Sequence, residues 1–127
     1  SLRQGVAIAT EESEPGDDRP FGLQDAFEML GSEAYAAIVP IFVRNARQDL
    51  DDLRAQVNSE HWGEAQMKAH KLKSSVMALK LHCYDELATL DATLKRQLAE
   101  GGGHEEEARV ACASFGTSIE AVIGYLA

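Results

Sequence analysis

The chain has 127 residues, 45% of them hydrophobic and 6% aromatic, which suits one domain with a single core. A formal net charge of -9 argues against nucleic acid as a partner, because phosphate binding requires a basic surface. No apolar run approaches the roughly 18 residues that cross a bilayer, and the first residues lack a signal-peptide pattern. We therefore expect no membrane contact and a cytoplasmic location.

The first 20 residues differ in composition from the rest of the chain. Acidic side chains alternate there with Ser, Pro and Gly, most densely over residues 11–20, and this is typical of a linker. We predict a flexible acidic tail over residues 1–20 and one folded domain over residues 21–127.

The folded domain is expected to begin with two helices. A short helix over Leu23–Leu30 should stop at Gly31, and Ser32 should be the N-cap of the next helix. Pro40 lies inside this second helix and is expected to bend or divide it before it ends at Asn58. Apolar residues recur at steps of three and four along one face of the second helix: Tyr35, Ile38, Phe42, Ala46, Leu50, Leu53 and Val57.

Three further amphipathic segments follow. The third runs from Trp62 to Leu79, and the fifth starts at Glu105. The fourth stops at Gly101, and Leu98 is expected on its apolar face. Cys83 and Cys112 form no CxxC pair and fall on apolar faces of the last two, so both are expected to be buried, reduced thiols. Four long amphipathic helices with short links predict an all-α fold, an antiparallel four-helix bundle with a short extra N-terminal helix.

The third helix carries a histidine on its polar face. At about 100° per residue, His70 lies about 130° from the centre of the apolar face, so we expect its imidazole to be exposed. Lys73 follows one turn later, and no acid occurs between Ala65 and Tyr84. The lysines of that stretch give it a local charge of +4: Lys68, Lys71, Lys73 and Lys80. A neutral imidazole beside cations is suited to accepting a phosphoryl group.

The run from Ala69 to Ser75, AHKLKSS, resembles the active-site signature of histidine-phosphotransfer domains. That signature is a phosphorylated His, any residue, an aliphatic residue, Lys and a small residue. The similarity covers about residues 21–126 and includes the segments 41–43 and 60–62. It implies a phosphorelay module in which His70 accepts a phosphoryl group from a receiver-domain aspartate and passes it to another receiver. Lys73 would then give electrostatic support.

The resemblance also defines the expected surroundings of the histidine. Response-regulator receiver domains are the expected partners, with a hybrid sensor kinase as a further candidate, and we expect a monomer. No independent catalysis is expected, and neither a metal ligand nor a cofactor is expected on this chain, because Mg²⁺ would come with the receiver. The rim that meets the receiver is expected to consist of Gln66, Met67, Lys71, Ser74 and Met77.

Two departures from the family pattern leave alternatives open. Ser74 stands where many members have Gly, but it is also small. Lys80 stands where members commonly have Gly, and it predicts a longer third helix or a different turn. One alternative function is a helical docking bundle that is never phosphorylated and uses the same surface. A metal-binding bundle is less favoured, because no Glu-x-x-His motif occurs. His82 is the second choice as acceptor.

Overall fold

Five helices and their links make up the part of the chain that the computed structural model describes, residues 19–127. The helices are α1 (Leu23–Leu30), α2 (Ser32–Asn58), α3 (Trp62–Ala78), α4 (Tyr84–Glu100) and α5 (Glu105–Leu126). Residues 19–127 contain no strand, so the all-α prediction is confirmed. Residues 1–18 of the predicted tail lie outside the described residues. Arg19, which the prediction placed in the tail, has its guanidinium 3.7 Å from the centre of the Phe27 ring.

The four longer helices pack side by side, each against two others. α2 and α4 both contact α3 and α5, and α1 contacts α2. The apolar faces meet in one core, whose fully buried side chains include Leu53, Leu72, Leu90 and Phe115, one from each long helix. Each such side chain contributes roughly 1.5–3 kcal/mol to stability when buried. Because α3 is flanked by α2 and α4, its remaining face is turned to solvent. No helix within residues 19–127 combines the length and apolarity needed to span a membrane.

Three local expectations differ from the structure. Ser32 is the first residue of α2 and not its N-cap, because Gly31 both ends α1 and begins α2: its N–H donates to Phe27 and its carbonyl accepts from Tyr35. Pro40 does not divide α2, which is continuous from Ser32 to Asn58. Leu98 is 47% exposed, and the neighbouring Gln97 is buried in its place.

Gln97 is buried because it holds the link between α4 and α5. Its side-chain oxygen accepts from the backbone N–H of His104 at 2.8 Å, and its amide donates to Glu105 at 3.0 Å.

The two cysteines agree with the prediction, since both are buried free thiols. Burial raises the pKa of the Cys83 thiol to about 11, which keeps it protonated at neutral pH.

The end of α3 answers the question raised by Lys80. The helix stops at Ala78, and Lys80 adopts a left-handed conformation with φ of 52°. Its N–H donates to the carbonyl of Met77, and the N–H of Leu81 donates to that of Val76. This pair of hydrogen bonds is the Schellman motif, in which glycine is usually the left-handed residue. The helix therefore ends here without the glycine, and it is not longer.

Lys80→Gly is expected to stabilise the fold by about 0.5–1 kcal/mol. A residue with a side chain in the left-handed conformation costs about 1–2 kcal/mol, and glycine would relieve this strain. Glycine also increases the entropy of the unfolded chain, which offsets part of the stabilisation. Chemical denaturation of the variant and wild type measures the difference. Lys80→Ala is the control, because it removes the charge and keeps the strain. An equal gain from Lys80→Ala would assign the effect to charge and contradict the prediction.

Candidate functional site

The solvent face of α3 carries His70 halfway along the helix. Ala69 and Leu72, its neighbours on the other side of the helix, are buried, whereas His70 is exposed, as predicted. No side chain within residues 19–127 hydrogen-bonds its imidazole, so the ring is accessible to a partner. By contrast, the ring of His61 forms a hydrogen bond with the side chain of Gln56.

Four of the five predicted rim residues share this exposed face with His70. Met67 and Met77, one turn before and two turns after the histidine, are 70% and 58% exposed. Lys71 and Ser74 are also exposed. Gln66 is the exception: it is partly buried and directed toward α4. The face is therefore apolar at both ends and polar around the histidine, with a small residue one turn after it.

A buried carboxylate on α4 lies beside this face. Asp91 is 2% exposed, and one of its oxygens, Oδ1, accepts from the Gln66 amide at 2.9 Å. Its other oxygen, Oδ2, lies 3.2 Å from the Lys73 ammonium and 3.1 Å from that of Lys95. Gln66 precedes His70 by four residues and Lys73 follows it by three, so both are its neighbours on the helix surface. Asp91 therefore lies at the contact between α3 and α4, on the side of α3 that carries Gln66 and Lys73.

The ionisation of Asp91 follows from these contacts. Burial by itself would raise the pKa of Asp91, because it disfavours the charged form. The hydrogen bonds from Gln66, Lys95 and Lys73 outweigh burial, so the pKa lies below the usual aspartate value. Asp91 is therefore a carboxylate at neutral pH.

A second buried carboxylate lies on the other side of α3. Asp49 of α2 is 4% exposed, and its Oδ1 accepts from Lys68 at 3.2 Å and from Lys71 at 3.4 Å. Lys68 also lies 3.4 Å from Asp52. A buried carboxylate is normally paired with a cation in this way, because an unpaired charge is costly to bury. These contacts join α2 to α3 as the Asp91 contacts join α3 to α4.

The two carboxylates correct the expected charge around His70. The expected local charge of +4 came from α3 and its link alone, but Lys68, Lys71 and Lys73 are ion-paired with acids of the flanking helices. The side chain of Lys73 is accordingly only 23% exposed. Sequence reasoning missed Asp49 and Asp91, although a signal was present. Each lies at an apolar-face position of its helix, three or four residues from a buried residue on either side.

Two hollows lie in the groove between α2 and α3. The first, about 430 Å³, is next to Met67 and is lined by Asp52, Gln56, Glu64, Met67, Lys68 and Lys71. The second, about 140 Å³, lies near the other end of α3 and is lined by Ile38, Ile41, Phe42, Asn45, Ser75, Ala78 and Leu79. Ile41 at the second hollow is 50% exposed. The α2 side of the histidine face is thus recessed and partly apolar, as a protein-docking surface often is.

Comparison with known proteins gives no relative for this chain. No family model, no curated protein and no solved structure matches it. The likeness to histidine-phosphotransfer domains therefore rests on the residues of the sequence and on their arrangement. Within residues 19–127, no group of three or more His, Cys, Asp or Glu side chains is arranged to hold a metal ion.

Proposed function

We propose that this chain is a histidine-phosphotransfer module of a two-component phosphorelay, with His70 as the phosphoryl acceptor and donor. One observation carries the proposal: an exposed imidazole without a hydrogen-bond partner among residues 19–127 has Lys73 one turn away. The AHKLKSS run places these two residues as the family signature does.

The chemistry required of the chain is limited to nucleophilic attack and charge stabilisation. The unprotonated ring nitrogen of His70 attacks the phosphorus of a receiver's aspartyl phosphate, and the P–O bond to the aspartate breaks. Its electron pair stays on the aspartate oxygen, which becomes a carboxylate, while the other ring nitrogen keeps its proton. The reverse step delivers the phosphoryl group to a second receiver. Lys73 offsets the negative charge that spreads over the phosphoryl oxygens.

The proposed receiver-docking surface is the exposed face of α3 together with the α2 groove. Met67 and Met77 supply adaptable apolar contact, which suits more than one partner. Ser74 is small enough for the receiver's active site to approach the ring. The magnesium ion of the reaction would be held by the receiver, and a hybrid sensor kinase is a second candidate source of receiver domains.

The proposed fold detail is an antiparallel four-helix bundle of α2–α5, with α1 as the extra helix. The links 59–61, 79–83 and 101–104 are short, which favours antiparallel neighbours, and each long helix has two helical neighbours. A phosphorelay module of this kind would work in the cytoplasm and as a monomer.

The test is phosphotransfer from a panel of phosphorylated receiver domains to the purified chain. We expect label on the protein that is lost in acid and stable in alkali, as for phosphohistidine. Label that is stable in acid would indicate another residue type and contradict the proposal. Absence of label across a broad panel, with retained receiver binding, would favour a docking bundle that is not phosphorylated.

Ser74→Phe is expected to slow transfer from a receiver at least about tenfold, because a bulky side chain one turn from His70 holds the receiver away. Ser74→Ala should leave the rate unchanged, and Ala121→Phe on the exposed side of α5 controls for a new aromatic residue. A small donor such as phosphoramidate should label all variants at the wild-type rate. Slower labelling of Ser74→Phe by phosphoramidate would show damage to the histidine itself and contradict the docking explanation.

A further inference from the structure

A single carboxylate oxygen of Asp91, Oδ2, forms ion pairs with two lysines. Lys73 of α3 and Lys95 of α4 lie 3.2 and 3.1 Å from Oδ2, so their ammonium groups are close neighbours although they come from different helices. Like charges this close repel each other, and the carboxylate between them makes the arrangement stable. Gln66 binds Oδ1 and fixes the orientation of the carboxylate.

The two sides of His70 differ in their remaining charge. On the α2 side, the carboxylates of Asp49 and Asp52 balance the ammonium groups of Lys68 and Lys71. On the α4 side, the single carboxylate of Asp91 faces two ammonium groups, which leaves an excess positive charge there. An anion bound at His70 is therefore drawn toward α4.

The exposure of Lys95 makes this charge available. Its side chain is 56% exposed, whereas that of Lys73 is 23% exposed and that of Asp91 only 3%. A phosphoryl group or an acidic receiver surface can therefore reach Lys95 without displacing the buried carboxylate. Lys95 follows Asp91 by four residues on α4, so the geometry of the helix keeps the two side chains close to each other.

We infer that Asp91 is a positioning residue that gathers Lys73 and Lys95 into a pair of ammonium groups on the α4 side of His70. Lys95 is then a second phosphoryl-binding residue, supplied by a different helix from the histidine. This inference rests on the proposed function, because it names residues that serve the same transfer.

Positioning is tested first in the protein alone, by NMR of the lysine side-chain ammonium groups. An ammonium held against a buried carboxylate exchanges its protons slowly, so we expect observable Lys73 and Lys95 signals in wild type at low temperature. Asp91→Asn keeps the shape of the side chain and removes its charge, and both signals should broaden beyond detection. Persistence of both signals in Asp91→Asn would overturn the positioning role.

The transfer rate from a phosphorylated receiver tests the consequence. We expect Lys73→Gln and Asp91→Asn each to slow transfer about tenfold, as loss of charge stabilisation implies. Lys95→Gln should slow it about threefold, because the residue is more exposed and screened by solvent. In a Lys73→Gln and Lys95→Gln background, Asp91→Asn should have no further effect, which a merely structural role of Asp91 would not produce. Arg47→Gln, an exposed residue of α2, controls for the change in net charge.

The outcomes separate the inference from the proposed function. If wild type takes no label, the proposed function fails and the role of Lys95 fails with it. If wild type takes label and both Asp91→Asn and Lys95→Gln transfer at its rate, only the inference is overturned. Should Asp91→Asn fail to fold, Lys95→Gln decides, since an exposed lysine is replaced without loss of core packing.

Discussion

His70→Gln is expected to abolish phosphoryl acceptance while leaving the fold unchanged. The amide of glutamine has no basic ring nitrogen to attack phosphorus, so the loss should be complete and not partial. Because His70 is exposed and has no hydrogen-bond partner within residues 19–127, the change in stability should stay within about 0.5 kcal/mol. Label transfer from a receiver and thermal unfolding of the same preparation measure the two effects.

The other histidines supply matched controls for this result. His61 is bonded to Gln56, and the two ring nitrogens of His104 lie 2.7 and 2.8 Å from Glu107 and Glu100. Glutamine at either position should leave the label at the wild-type level, and so should His82→Gln. Label that remains on His70→Gln and disappears from His82→Gln would move the acceptor to the link between α3 and α4 and overturn the assignment of His70.

The sequence predicted the helices well because their ends carry strong local signals. Gly31 and Gly101 stop α1 and α4 through positive φ angles, and the acids from Glu105 onward begin α5. Ser32 failed as a cap because one glycine both ends α1 and begins α2, which no single-residue preference reveals. Leu98 was expected to be buried, but Gln97 is buried instead. The side chain of Gln97 forms hydrogen bonds with the link between α4 and α5, and helical periodicity does not reveal such contacts.

The candidate site was predictable only as far as one helix determines it. Helical periodicity gives the exposure of His70, Met67 and Met77 from α3 alone. The partners of its lysines come from α2 and α4, and a count of charges along the chain cannot place acids that lie about 20 residues away in sequence. The surroundings of His70 are therefore more balanced in charge than the sequence suggests.

Those interhelical carboxylates connect the stability of the fold with its proposed chemistry. Asp49 and Asp91 are buried at the two edges of α3, so they fix the helix in place and also orient the cations along its exposed face. Ion pairs at such positions contribute little net stability compared with apolar residues of similar size. Under the proposed function, these two carboxylates serve to order positive charge along the exposed face of α3.

Gly22→Ala is expected to destabilise the fold by about 2–4 kcal/mol, a large part of the roughly 5–15 kcal/mol of a typical domain. Gly22 has φ of 92°, and a Cβ there would lie 2.1 Å from the carbonyl oxygen of Lys80 and 2.9 Å from the His82 ring. The backbone cannot easily retreat, since the N–H of His82 donates to Phe21 at 2.9 Å. The variant thus separates the start of α1 from the end of α3.

Gly31→Ala is the matched control for Gly22→Ala, because it isolates the backbone strain. Gly31 has φ of 86°, but a Cβ there meets nothing within 4 Å, so its cost should be about 1–2 kcal/mol. Chemical denaturation of both variants gives the difference, which measures the close approach of Gly22 to Lys80. Equal costs would show that the link 79–83 moves aside easily and that α1 is not held against it. Such a result would also show that the backbone at Lys80 can shift, even though its left-handed conformation closes the Schellman motif.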